Sequence, residues 1–317
     1  MEELSFSYNV KTEIIQKINT RQKADACLTG MLCCCNSLSD EHILFLTENK
    51  QCADFFVNNI SRLLNCENAA KVYEADRKNG VVLYSIEICG EDCGRLLGLL
   101  GIDPMRRLDM QRLPKKKYYP QLIAGIFLAC GSVNNPEKKY HMEFVMPALD
   151  MCNDLGLLLI DSYGIVPKHV ERKNAQIVYL KESENIIDML TLMGASMSSM
   201  ELMNVKMFKD MRNKINRAVN CDNANIEKSL RAAEKQIADI EIIDSTMGIG
   251  SLPENLKEIA RIRYDNPDFN LKELGAALDP PISRSGANHR LQKLAEIADR
   301  IRREKGMETA NKELKEE

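Results

Sequence analysis

The sequence lacks three features that would each assign it to a broad class of protein. No segment holds eighteen consecutive apolar residues, so we predict no transmembrane helix. The 43 basic and 46 acidic side chains leave a formal net charge of only −3, so a nucleic-acid or membrane partner would have to meet a local patch of charge. The first residues, MEELSFSYNVKTEII, are acidic where a secretory signal peptide is basic, and we therefore expect a cytoplasmic protein.

The composition is otherwise that of an ordinary globular protein. The chain has 317 residues, of which 44% are hydrophobic and 28% are charged. This length and composition predict a folded protein with a sizeable core, large enough for two domains.

Cysteine is abundant, with eleven residues, but its spacing does not favour disulfides or a metal site. Without an export signal, reduced thiols are expected. Cys33, Cys34 and Cys35 are consecutive, so on a helix they would point about 100° apart and could not converge on one ion. Cys89 and Cys93 could share a helix face, but no second pair or histidine lies nearby in the sequence. We therefore favour small buried thiols over zinc, and we predict no metal and no cofactor.

The sequence contains an internal repeat. The segments LTGMLCCCNS and LIAGIFLACGS can be superposed by aligning Gly30 with Gly125. The order helix, strand, strand, helix, strand, strand, helix then appears twice, over about 19–104 and 118–215. The pattern predicts an α+β N-terminal domain built from a duplicated αββαββα unit.

A basic segment, RRLDMQRLPKKKYYP, connects the two copies. A charge run of this kind is compatible either with a solvated loop or with contacts to phosphate groups. Its candidate auxiliary DNA contacts are Arg106, Arg107, Lys115, Lys116 and Lys117.

The chain changes character after the repeat. A helix rich in Asn and Arg, which contains Arg212 and Arg217, leads into an amphipathic helix that ends before Gly248, Gly250 and Pro253. We predict four parts: an N-terminal domain at 1–215, a helical linker at 216–250, an all-α domain at 251–305, and a frayed charged tail at 306–317.

The all-α domain has the pattern of a helix-turn-helix, with the motif at about 270–303. Ser283 is a natural N-cap for the third helix. One face of that helix is apolar and is expected to pack in the core. The other side chains suit base edges and phosphates, although a plain three-helix bundle with a solvated outer face would show the same pattern. The apolar positions are Ala287, Leu291, Leu294, Ala298 and Ile301. The candidate DNA-binding residues are Ser283, Arg284, Ser285, Asn288, His289, Arg290, Gln292 and Lys293.

Five segments together resemble the WhiA family of bacterial transcriptional regulators: SYNVKTEI, LIAGIFLACGS, YGIVPK, MRNKINRAVNCDNAN and LKELGAALDPPISRSGANHRLQKL. The resemblance covers nearly the whole chain. It implies that the duplicated unit is one pseudo-twofold domain similar to LAGLIDADG homing endonucleases, joined to the helix-turn-helix. It also implies that the two motif helices pack closely at Gly30, Ala124 and Gly125.

The same resemblance bears on catalysis. In the nuclease motif an acidic residue precedes the final glycine and binds a divalent metal. The corresponding positions are Cys35, followed by Asn36, and Cys130, followed by Gly131. Because Mg²⁺ prefers carboxylate and water oxygens to thiols, two-metal cleavage would have no ligands. The resemblance therefore implies a nuclease scaffold that is not an enzyme.

The leading hypothesis is a sequence-specific regulator that binds double-stranded promoter DNA and associates with the nucleoid. The N-terminal sheets, the basic loop at Arg106 to Lys117 and the Arg212 to Arg217 helix are candidates for further DNA contacts. The resemblance implies roles in transcription, cell division and, in spore formers, sporulation. One alternative is a scaffold whose N-terminal domain binds a protein partner or a small ligand. The other is a metal-dependent nuclease that uses different carboxylates, such as Asp40 and Glu41, which have no counterpart after the second motif before Glu137.

Overall fold

A computed structural model describes the backbone of residues 5–77, 80–105, 108, 115–173 and 175–316, and the side chains of these residues up to 304. The chain divides into two compact units between Asp210 and Met211.

The first unit contains both copies of the repeat, with one helix in front of them. The predicted order of elements is confirmed in each copy. The leading helix is α1 (Phe6–Gln16). The first copy comprises α2 (Arg21–Cys33), β1 (Ser37–Leu38), β2 (His42–Thr47), α3 (Lys50–Leu64), β3 (Lys71–Asp76), β4 (Val82–Cys89) and α4 (Glu91–Leu100). The second copy comprises α5 (Tyr119–Cys130), β5 (Gly131–Val133), β6 (Met142–Met146), α6 (Leu149–Tyr163), β7 (Lys168–Arg172), β8 (Ala175–Leu180) and α7 (Ser183–Met193).

Each copy forms its own four-stranded antiparallel sheet. The strand orders are β1-β2-β4-β3 and β5-β6-β8-β7. Along β2 the side chains alternate, so that Ile43 and Phe45 are buried while His42 and Leu44 are only half-buried. This period of two places one face of the sheet against the helices and leaves the other face accessible to solvent.

The helices α2 and α5 pack against each other at the two aligned glycines. A Cβ atom on Gly30 would overlap the carbonyl oxygen of Leu122, and one on Gly125 would overlap the carbonyl oxygen of Cys27. Only residues without a side chain let the two backbones come this close. The predicted packing of the two motif helices is therefore confirmed.

The helix α8 (Ser196–Met247) begins in the first unit and continues into the second. Its first turn is capped by α1, because the Glu13 carboxylate accepts hydrogen bonds from the backbone N–H groups of Met197 (2.6 Å) and Ser198 (3.0 Å). A carboxylate at this position satisfies free N–H groups and complements the helix dipole. The helix ends at the predicted break, where Gly248 has a φ of 77°.

The second unit also contains α9 (Glu254–Asp265), α10 (Leu271–Ala276) and α11 (Arg284–Glu316). Its core includes Ile240 and Ile243 from the end of α8, which the sequence division places in the linker. Helix α11 continues to Glu316, and so includes most of the segment for which the sequence predicts a charged tail, 306–317. The segment METANKELKEE is rich in Ala, Glu, Lys and Leu, which favour continued helix.

Candidate nucleic-acid interface

The helix-turn-helix segment begins with a capping box on α10. The Asn270 side chain accepts hydrogen bonds from the backbone N–H groups of Lys272 (2.9 Å) and Glu273 (3.1 Å). The Glu273 carboxylate in turn accepts from the Asn270 N–H (2.8 Å). This reciprocal arrangement fixes where the short second helix begins.

A glycine allows the turn between α10 and α11 to fold tightly. The Ile282 N–H donates to the carbonyl oxygen of Gly275 at 2.8 Å. A Cβ atom on Gly275 would lie 2.5 Å from the Ile282 carbonyl oxygen, too close for any larger residue without a shift of the backbone. The turn therefore holds α11 in a defined direction relative to α10.

The predicted N-cap and the predicted core face of α11 are both confirmed. The Ser283 Oγ accepts a hydrogen bond from the Gly286 N–H at 3.2 Å. The apolar stripe of α11 is fully used in packing the core of the unit. Its buried members are Ala287, Leu291, Leu294, Ala298 and Ile301.

The candidate DNA-binding residues of α11 differ in their surroundings. Asn288 and Arg290 are only half-buried, at the flanks of the packed face. The remaining six lie exposed on and around the outer face: Ser283, Arg284, Ser285, His289, Gln292 and Lys293.

The two half-buried residues point towards neighbouring helices. Arg290 donates from Nη1 to the carbonyl oxygen of Asn255 in the first turn of α9, at 3.2 Å. Asn288 lines a groove of about 520 Å³ with Asn225 and Lys228 of α8 and with Arg284. Arg290 therefore has a role in packing that its position in the sequence did not reveal.

Arg263 is a structural residue that was not predicted from the sequence. It is 2% exposed, and its Nη1 donates to the carbonyl oxygens of Phe269 (2.7 Å) and Pro267 (3.1 Å) in the segment that leads to α10. Burial lowers the pKa of Arg263. It follows Leu256, Ile259 and Ala260 at helical core spacing, so a basic residue on an apolar stripe was the signal available in the sequence.

In the first unit, the two positions that correspond to the nuclease acids hold thiols engaged with the protein backbone. The Cys35 thiol donates to the Ser37 carbonyl oxygen (2.9 Å), and the Cys130 thiol donates to the Ile126 carbonyl oxygen (3.2 Å). The residue that meets Cys130 from the other copy is Cys34. The hydrogen bond between these two thiols, together with burial, raises the pKa of Cys34 well above its usual range.

A lysine lies beside these thiols. The Lys11 ammonium donates to the carbonyl oxygen of Leu128 at 3.1 Å and lies 5.8 Å from the centre of the Phe127 ring. Burial lowers the pKa of Lys11, while the nearby Cys52 and Cys130 thiols and Glu48 oppose that shift. No pattern in the sequence marks this residue, because only the fold brings α1 to the end of α5.

The surroundings of Lys11 do not fit the divalent metal that the nuclease fold implies. A cavity of about 460 Å³ lies here, and among the described residues that line it Glu48 supplies the one carboxylate. That carboxylate is paired with Arg77 at 3.1 Å. The other polar groups that line the cavity include the Lys11 ammonium, side-chain amides and hydroxyls. Mg²⁺ would instead require carboxylate and water oxygens. The cavity is lined in part by Ser5, Lys11, Asn36, Glu48, Asn49, Arg77 and Ser132.

The auxiliary basic residues are exposed wherever the structure describes them. Lys115, Lys116 and Lys117 precede α5, and the Lys117 ammonium lies 4.8 Å from the centre of the Tyr118 ring. Arg212 and Arg217 are exposed on α8. The predictions for Arg106 and Arg107 concern residues outside the described part of the chain.

Within the described ranges, none of the helices combines the length and the apolar character required to cross a bilayer.

Comparison with known proteins identifies relatives over nearly the whole chain. The WhiA LAGLIDADG-like domain matches residues 120–212, and the WhiA C-terminal HTH domain matches residues 215–298. A probable cell division protein WhiA of Clostridium perfringens strain SM101 is 37% identical over 325 residues, covering 94% of this chain and 99% of the relative. The corresponding protein of Clostridium acetobutylicum is 37% identical over 323 residues, covering 95% and 99%.

A solved structure supports the same architecture. The crystal structure of full-length WhiA from Thermatoga maritima matches with a TM-score of 0.56 and 23% identity, and the match covers 94% of this chain and 99% of that one. The fold is therefore a LAGLIDADG-like α+β domain followed by a helix-turn-helix domain. With two matching domains and relatives that are 37% identical along almost the whole length, the chain belongs to the WhiA family.

Proposed function

We propose that this chain is a sequence-specific DNA-binding regulator of transcription that acts in cell division. The observation that carries this proposal is the division of α11 into two faces. Its apolar face is fully used in the core, while His289, Gln292 and Lys293 project from the exposed side of a helix whose start is fixed by a cap and a tight turn. Side chains of these types suit base edges and phosphates in a major groove.

The eight candidate residues take different parts in this proposal. His289, Gln292 and Lys293 face the DNA most directly, with Ser283, Arg284 and Ser285 at the start of the helix near the phosphates. Arg290 is bonded to α9, and Asn288 lies in the groove beside α8. We therefore assign sequence preference chiefly to the exposed residues and orientation of the helix to Arg290.

The basic residues outside α11 add electrostatic affinity. Lys115, Lys116, Lys117, Arg212 and Arg217 are exposed, and cations in such positions meet phosphates without reading sequence. Arg106 and Arg107 extend the same basic segment in the sequence. Because these basic residues are concentrated in local patches, a chain with net charge −3 could still bind a polyanion.

We further propose that the LAGLIDADG-like domain does not cut DNA. The support is chemical: Cys35 and Cys130 are bonded to backbone carbonyls, and Lys11 brings a cation into the region where a nuclease would require a divalent metal. A nuclease that uses Asp40 and Glu41 instead is the less favoured function, because both lie exposed before β2 and have no matched pair in the second copy.

The proposal also covers the cellular location of the protein, its DNA partner and the processes in which it acts. We place the protein in the cytoplasm, associated with the nucleoid, with double-stranded promoter DNA as its partner, and we extend its role to sporulation in spore formers. We retain the sequence division into 1–215, 216–250, 251–305 and 306–317 as a functional proposal, with the core contacts of Ile240 and Ile243 extending the DNA-binding part into the linker. A scaffold whose N-terminal domain binds a protein or a small ligand is the alternative.

Genome-wide occupancy of the full chain, followed by footprinting on the enriched promoters, tests the proposal. We expect discrete protected sites that share a sequence. Uniform occupancy, or protection that is unchanged in a His289→Ala, Gln292→Ala variant, would contradict it. Capture of a protein partner by a chain that shows no DNA preference would favour the scaffold alternative.

A further inference from the structure

We propose that His42, Glu87 and Cys89 form a binding site for Zn²⁺ on the accessible face of the first sheet. The antiparallel register of β2 and β4 places His42 directly opposite Cys89, and Glu87 precedes Cys89 by two residues on the same strand. One ligand atom from each of the three side chains lies within 4.8 Å of the other two. An imidazole, a carboxylate and a thiol thus converge on one point.

Strand geometry explains why all three side chains share a face. Successive side chains of a strand point to opposite sides, and the neighbouring Ile43, Ile86 and Ile88 are buried in the core. His42 and Glu87 are therefore half-buried on the other side of the sheet, and Cys89 is exposed. A metal ion has access to this position from solvent, and replacement of the three side chains leaves the core unchanged.

Local hydrogen bonds hold the ends of both strands in place. The Gly90 N–H donates to the carbonyl oxygen of Glu41 (2.9 Å), and the His42 N–H donates to the Ser39 Oγ (3.0 Å). The Ser37 Oγ also lies 3.4 Å from the Nδ1 of His42. A hydroxyl that engages one ring nitrogen orients the imidazole and leaves the other nitrogen for a metal, as outer-shell partners do in known metal sites.

The cysteine nearest to Cys89 in the sequence, Cys93, is not part of this site. The spacing of Cys89 and Cys93 would allow a shared helix face, but Cys89 ends β4 and Cys93 lies in α4. Cys93 is fully buried, and its thiol donates to the Ile88 carbonyl oxygen at 3.2 Å. The second ligand comes instead from β2, far away in the sequence.

The set of donor atoms selects the class of metal. Thiolate, imidazole and carboxylate are the usual protein ligands of Zn²⁺, whereas Mg²⁺ and Ca²⁺ require several oxygen ligands. Typical Zn²⁺ bond lengths and tetrahedral angles place ligand atoms roughly 3.3–3.8 Å apart, which small side-chain rotations would achieve here. Three protein ligands leave a fourth position for water, and the bound ion would join β2 to β4 at the end of the sheet.

The second sheet provides a natural comparison. His141 and Glu143 lie on β6 and its approach, with Nε2 and Oε2 3.0 Å apart, and the residue opposite Glu143 is Tyr179. The residue that faces Glu143 across the strands is thus a tyrosine, not a thiol or a second carboxylate. Among the residues that the structure describes, no second group of three potential ligands converges as the first one does. Within this described part of the chain, the site therefore belongs to the first copy.

The full chain, freed of metal with a chelator and kept reduced, would be titrated with Co²⁺ and then with Zn²⁺. We expect one equivalent of Co²⁺ to give a thiolate charge-transfer band in the near ultraviolet, which Zn²⁺ then displaces. Calorimetry should give a stoichiometry of one Zn²⁺ per chain, and the ion should raise the Tm, since a ligand that binds only the folded state stabilises it. Absence of the band and of any Zn²⁺ binding would overturn the proposal.

Matched variants localise the ion. Cys89→Ser should abolish the charge-transfer band, and His42→Ala or Glu87→Gln should weaken Zn²⁺ binding by more than about tenfold, the lower limit for removal of an outer-shell partner. Cys66→Ser and Cys221→Ser, which replace exposed thiols elsewhere, and His141→Ala on the second sheet should leave binding unchanged. If a control variant removes the band while Cys89→Ser retains it, the ion is bound elsewhere and the assignment fails.

Discussion

Gly125 lies directly against the backbone carbonyl of Cys27, so that a Cβ atom on Gly125 would overlap the carbonyl oxygen. We expect Gly125→Ala to destabilise the first unit by about 1–3 kcal/mol, because the two motif helices would have to separate. Denaturant unfolding followed by circular dichroism measures the change. The matched control is Gly98→Ala in α4, where a Cβ atom would meet nothing within 4 Å. That change should be neutral or stabilising, and equal destabilisation of both variants would refute the packing argument.

Replacement of residues on the exposed side of α11 should weaken binding to the preferred DNA site more than binding to random DNA. We expect Gln292→Ala to cost about 1–3 kcal/mol on the preferred site, because the variant has no side chain to bond to a base edge. Fluorescence anisotropy with both DNAs measures the difference. Arg300→Ala, an exposed change farther along the same helix, is the control and should preserve the ratio of the two affinities.

Arg290→Ala should behave differently from Gln292→Ala. Since Arg290 donates to the Asn255 carbonyl oxygen, its removal should lower the free energy of unfolding by about 1 kcal/mol, the range for one hydrogen bond. Denaturant unfolding measures the change in stability, and a DNA titration of the same variant measures the change in selectivity. A variant with unchanged stability and a large decrease in selectivity would show that Arg290 reads a base.

The three lysines before α5 should contribute affinity without selectivity. Replacing Lys115, Lys116 and Lys117 by Ala should weaken preferred and random DNA alike. The slope of log affinity against log salt should fall by up to about 0.9 for each phosphate that is no longer neutralised by a lysine. Titrations at several salt concentrations measure that slope. An unchanged slope would mean that these lysines are merely solvated.

Lys11 should make stability depend on pH in the alkaline range. Its folded pKa lies below the ordinary value of 10.5, so the unfolded chain binds more protons between the two values. The free energy of unfolding should therefore rise as pH increases through the folded pKa towards 10.5. Lys11→Met removes the titrating group, and the rise should be smaller in this variant than in the parent protein. Parallel curves for the two proteins would contradict the lowered pKa.

Incubation with Mg²⁺ or Mn²⁺ should leave plasmid DNA and occupied promoter fragments uncut. We expect no cleavage because Cys35 and Cys130 stand where the nuclease motif has its metal-binding acidic residues, and Lys11 adds a positive charge beside them. Gel electrophoresis of end-labelled fragments detects single cuts. Metal-dependent cleavage at a fixed position, abolished when Asp40 or Glu41 is replaced, would instead establish the nuclease alternative.

Features that depend on local periodicity could be predicted from the amino-acid sequence. The order of elements in both copies follows from alternating and helical spacing of apolar residues, and the buried stripe of α11 from Ala287 to Ile301 follows from the same spacing. Ser283 as a cap and the break at Gly248 depend on the chemistry of one or two neighbouring residues, so they could also be predicted. The close approach at Gly30 and Gly125 followed from the repeat together with the family resemblance.

Contacts between residues distant in the chain became known only from the three-dimensional fold. The register of β2 on β4 brings His42 to Cys89, the packing of α11 on α9 brings Arg290 to Asn255, and α1 brings Lys11 to Leu128. The local spacing of residues does not predict any of these pairs. They form because the elements that carry them pack together, and the free energy of that packing comes from burial of the whole core. A one-residue change of strand register would turn His42 into the core, and the sequence around His42 alone does not specify that register.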